Sequence, residues 1–82
     1  MNVDEKANAA KQLRENEAFQ MFIGEVHDAA IADFVNSAAS DIETREEAHA
    51  ILRALAEINR RLSVAENAKS INDRKGQHRG ND

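Results

Sequence analysis

The chain has 82 residues, 41% apolar, 32% charged and only 4% aromatic, which suits one small domain with a shallow core. It has no Cys, so disulfides and Cys-ligated metal centres are excluded, and with no Pro or Trp its largest side chains are three Phe. Residues 1–68 carry seven Lys or Arg against thirteen Asp or Glu, a net of −6, while Lys69, Arg74, Lys75 and Arg79 outweigh Asp73 and Asp82 beyond them, which argues against a dedicated nucleic-acid binder.

Abundant Ala and Glu, the absence of Pro and the lack of any alternating apolar pattern predict an all-α fold. Residues 4–15 favour a short helix, with Leu13 its only large anchor and Val3, Ala7 and Ala10 a thin apolar face suited to a partner. Drawn as one straight helix, Leu13 falls about 120° from the stripe that follows, so a break is expected at Asn16. Asn16 also suits an N-cap for a helix over about Glu17 to Asn36. Phe19, Phe22, Ile23, Val26, Ala30 and Phe34 share one face of that helix. The three Phe, at helical spacing, read as core rather than as a ligand pocket. Gly24 projects outward on this wheel, where it costs about 1 kcal/mol relative to Ala rather than breaking the helix.

Residues 37–43 form a link. The third helix is expected over Arg45 to about Lys69, opened by the capping box Thr44-Arg45-Glu46-Glu47. Its stripe is Ala48, Ile51, Leu52, Leu55, Ile58, Leu62 and Ala65. Residues 72–82 have no large apolar side chain and two Gly, so they are expected to be a mobile basic tail outside a helical body of residues 1–71. No apolar run approaches the roughly 18 residues of a membrane span, and Met1 to Lys6 has no signal-peptide apolar region; a soluble chain is expected.

Catalytic and metal motifs find little footing. Glu46-x-x-His49 matches the ligand spacing of di-iron bundles, yet both residues are turned more than about 130° from the stripe and read as a solvated face. His27 reads as a boundary residue, because helical neighbours such as Asp28 do not face each other. His78 lies in the tail. The serines lack a strained turn or a paired His, and no Gly-rich phosphate loop exists. The chain is expected not to be an enzyme, with no catalytic, cofactor-binding or metal residues and no cofactor.

The candidate residues therefore form an interaction face: Phe19, Phe22, Ile23, Val26, Phe34, Ile51, Leu52, Leu55, Ile58 and Leu62. Arg74, Lys75 and Arg79 offer a weak, salt-sensitive electrostatic contact, and the only expected route to nucleic acid. Two stripes from helices of this length bury too little to offset the cost of ordering the chain. An antiparallel two-helix hairpin with a short N-terminal helix should therefore complete its core as an oligomer or on a partner.

The string Ala10-x-x-Leu13-x-x-Asn16-Glu17-Ala18-Phe19-x-x-Phe22, followed by Thr44-Arg45-Glu46-Glu47-Ala48-His49-x-x-Leu52-x-Ala54-Leu55-x-x-Ile58-x-x-x-Leu62, resembles a group of small tailed-bacteriophage proteins. These are short helical-hairpin proteins encoded among head and DNA-packaging genes. The resemblance covers about residues 10–65, and the basic tail departs from it. It implies a non-enzymatic virion structural or assembly protein, found in the host cytoplasm during assembly and in the virion if incorporated. Its partner would be a further copy of itself or another particle protein, with no membrane involved. The alternative is a small acidic phage protein that binds and inhibits a host protein.

Overall fold

The computed structural model describes the backbone of residues 1–80 and the side chains of residues 1–69 and 71. Three helices follow one another, α1 (Val3–Glu15), α2 (Glu17–Asn36) and α3 (Ile42–Gly80), and no strand occurs among the described residues. Their 13, 20 and 39 residues give an elongated body of 64 × 24 × 18 Å. The radius of gyration, 18.2 Å, exceeds the roughly 12 Å of a compact chain of this length.

Side-chain caps set the helix starts. Asn2 accepts from the Glu5 amide at 2.8 Å and donates to the Glu5 carboxylate at 3.0 Å, a reciprocal cap that opens α1. Asn16 stands between α1 and α2 with extended backbone (φ −70°, ψ 121°), and its side chain accepts from the Phe19 amide at 2.9 Å. The Gln20 side chain reaches back to the Arg14 carbonyl at 2.7 Å, satisfying one of the acceptors that the end of α1 leaves open. The break expected at Asn16 is therefore present, and α2 spans the residues read from the sequence.

The start of α3 differs from expectation. Asp41, not Thr44, is the cap: its carboxylate accepts from the Thr44 amide at 3.2 Å and from the Thr44 hydroxyl at 2.7 Å. The Thr44 hydroxyl is thus spent as a donor, and the helix begins at Ile42, within the stretch expected to be a link. Arg45 closes the connection by donating to the Ala38 carbonyl at 3.2 Å.

The end of α3 differs too. Helical backbone continues to Gly80, past the expected end near Lys69 and through most of the segment read as a mobile tail. No Pro intervenes, and Gly76 alone does not stop a helix whose own backbone bonds carry it forward. Residues 81–82 lie outside the described residues.

Residues of α1 and α2 meet α3 in reverse chain order. Asn8 is bonded by Lys69 at 3.3 Å, Leu13 borders Leu62, and Phe19 and Ile23 border Leu55 and Asn59. α3 thus runs back along both earlier helices, with α1 against its later part and α2 against its earlier part. The buried residues among those described are Ala7, Ala10, Ala30, Ala48, Leu55 and Ala65. Five of the six are alanines, so the contacts between the helices are made largely by small side chains.

Candidate interaction surface

The predicted face divides into three parts. Leu55 is buried at 8% exposure, and Phe19, Ile23, Ile51, Leu52 and Leu62 are half-buried. Phe22, Val26, Phe34 and Ile58 are exposed, Phe22 at 59%. The expectation that all three Phe belong to the core is therefore corrected. Phe22 and Phe34 are twelve residues apart, about 120° around the helix, and one neighbouring helix cannot cover both. The seam itself is taken by Ala30 and Ala48, each 2% exposed.

The helical phase assigns these residues to sides. Each residue is turned by about 100° from the last. From Ile23, Gln20 and His27 turn one way, while Phe22 and Val26 turn the other. From Leu55, Asn59 turns one way, while Ile51 and Ile58 turn the other. Gln20, His27 and Asn59 line one open groove of about 410 Å³ with Arg14, Ile23 and Leu55. Phe22, Val26, Ile51 and Ile58 consequently share the opposite side of the α2–α3 layer. Leu13 with Leu62, Ala65 and Arg61 extends that side along α1 in a nearly all-apolar groove of about 240 Å³. Phe34 and Leu52 belong to the polar groove side.

Apolar residues outside that ten-residue face also matter here. Leu13, Val3, Ile31, Val35, Ile42 and Val64 are exposed apolar residues beyond the predicted face. Ala7 and Ala10, read as a face for a partner, are buried in the structure. Only the bend at Asn16 brings α1 onto α3, and sequence shows that bend as a cap without showing its direction.

Charged groups tie the helices rather than forming a reactive centre. Arg14 donates from Nε and Nη2 to the two Glu66 oxygens, each at 3.0 Å. This holds the Glu66 carboxyl below its usual range and raises the Arg14 guanidinium. Glu57 accepts from Arg60 and Arg61 one turn later, which pulls its carboxyl to about 2. The two hydrogen bonds from Thr44 lower Asp41.

His27 does meet Asp28, with Nδ1 and Oδ1 3.2 Å apart on the exposed surface, so the expectation that these neighbours stay apart is corrected. Both side chains are exposed enough to bend towards each other outside the helix. Glu46 and His49 are exposed on α3. Among the described residues no three His, Asp or Glu side chains gather as metal ligands, and no helix is long and apolar enough to cross a membrane. The side chains of Arg74, Lys75 and Arg79 lie outside the described residues. No family model matches the chain, and neither a curated protein nor a solved structure is found to match it.

Proposed function

We propose that the chain is a non-enzymatic structural or assembly protein of a tailed-phage particle, acting through helix–helix contacts. In this reading it is a helical hairpin whose outgoing arm is broken at Asn16. The observation that carries it is the side bearing Phe22, Val26 and Ile58: three large apolar residues exposed on a layer in which, among the described residues, Leu55 is the only large one buried. Contiguous apolar surface rimmed by charge is what a protein-binding face looks like. The phage setting comes from the resemblance over residues 10–65, and the protein would act in the host cytoplasm during assembly and in the virion if incorporated.

Purified particles test the proposal. The expected result is this chain at a fixed ratio to another particle protein, lost when Phe22 and Val26 are both changed to Glu. Absence from particles and from assembly intermediates, with stable capture of one host protein instead, would favour an inhibitory binder.

A further inference from the structure

We infer that the side bearing Phe22, Val26 and Ile58 binds a second copy of this chain across a two-fold axis, with α2 lying antiparallel on α2 and α3 antiparallel on α3. The inference rests on the helix–helix reading above and names its partner.

The register of the two arms supplies the first argument. Phe19 and Ile23 of α2 line one groove with Leu55 and Asn59 of α3, and Ala30 and Ala48 are buried nearer the turn, which fits a register that levels Ile23 with Leu55, Phe19 with Asn59 and Ala30 with Ala48. By that register Gly24 and Ala54 stand at one height. A two-fold axis at this height, perpendicular to the helices, acts on both arms at once. On α2 it sets Phe22 against Val26 of the second copy, and Val26 against its Phe22. On α3 it sets Ile58 against Ala50, with Ala54 on the axis.

Shape agrees with that pairing. Ile58 is a projecting apolar residue, 40% exposed, while the small Ala50 and Ala54 turn to the same flank of Leu55. A large apolar side chain thus meets small ones, and symmetry repeats the contact on the other copy.

Charge agrees as well. The same axis sets Glu47 against Arg61 of the second copy, and Arg61 against its Glu47. Both residues are exposed, and both are turned to the same flank of Leu55 as Ile58. Arg61 already bonds Glu57 at 2.9 Å and has donors left for a second carboxylate.

Area is sufficient. Two helices side by side, each about 10 Å wide, over the roughly 30 Å of α2 offer on the order of 600 Å² per copy. A stable pair buries from about 1,200 Å² in total.

The full chain is examined by sedimentation over a range of concentrations, and the expected species is a dimer. A monomer at every concentration overturns the inference, while recovery of the chain in particles would still support the broader reading. Phe22→Glu should weaken pairing by about thirtyfold or more with helical content retained; an unchanged dimer overturns the assigned face. Ala54→Cys, in a chain that has no Cys, should oxidise to a symmetric disulfide between copies. A dimer in which that bond does not form overturns the position of the axis. Glu47→Arg should weaken pairing and the exchange Glu47→Arg with Arg61→Glu should restore it; a swap no better than the single change overturns the register.

Discussion

Arg14 and Glu66 are 52 positions apart in the chain and are joined by two parallel hydrogen bonds, each 3.0 Å long. Arg14 is the last basic residue of α1, next to the bend at Asn16, and Glu66 lies on the part of α3 that α1 covers. The planar guanidinium meets the carboxylate through two bonds, so the pair ties the end of α1 to α3. Beyond it α1 is held mainly by Ala7, Ala10 and the bond between Lys69 and Asn8.

Loss of that clasp should therefore be local. With Arg14→Ala or Glu66→Gln, amide exchange in α1 should accelerate while the α2–α3 amides keep their protection. Equal acceleration in all three helices would show that α1 is part of a single cooperative unit.

Acid should release the same contact. Glu66 is held below its ordinary value of 4.5 when folded, so the folded chain binds that proton more weakly than the unfolded chain. Its contribution is complete above about pH 4.5 and fades as pH falls through the lowered folded value. Asp41, depressed below 3.8 by Thr44, acts in the same direction at slightly lower pH. Thermal melts from pH 7 downward should show stability falling below about pH 4.5, with a shallower fall in Glu66→Gln.

The seam between α2 and α3 depends on size. Ala48→Leu should destabilise by about 1–3 kcal/mol, because the added side chain forces the axes apart. Leu55→Ala removes the one large buried residue among those described and should cost about 2–5 kcal/mol. Denaturant titrations followed by circular dichroism measure both.

Asn16 holds the bend. Asn16→Ala removes the acceptor for the Phe19 amide and should cost about 1 kcal/mol. Alanine also favours continuous helix, so α1 should realign with α2 and leave α3. Scattering would read this as a longer particle, and an unchanged profile would place the bend elsewhere than in the cap.

Helix positions were largely legible because they are written locally. Asn16 followed by an apolar stripe marks both the break and the start of α2. The cap of α3 was misread because Asp41 and Thr44 are both good capping residues, and only the structure shows that Asp41 takes the hydrogen bonds of Thr44. The end of α3 was not legible, since no strong breaker marks it. The interaction face was legible as a set of residues but not in its division. Periodicity finds the apolar arc, while the width that one neighbouring helix covers decides that Ala30 is buried and Phe22 is left out. The docking of Ala7 and Ala10 required the direction of the bend, which no local pattern encodes.

In the proposed reading, this helical layer is completed by association through its exposed apolar side. The most direct measurement is the thermal midpoint over about a hundredfold range of protein concentration, with Phe22→Glu as comparison. A chain that completes its core by pairing should melt at higher temperature as concentration rises, and the variant should lose that dependence. A midpoint independent of concentration, from a chain that sediments as a monomer, would contradict the claim.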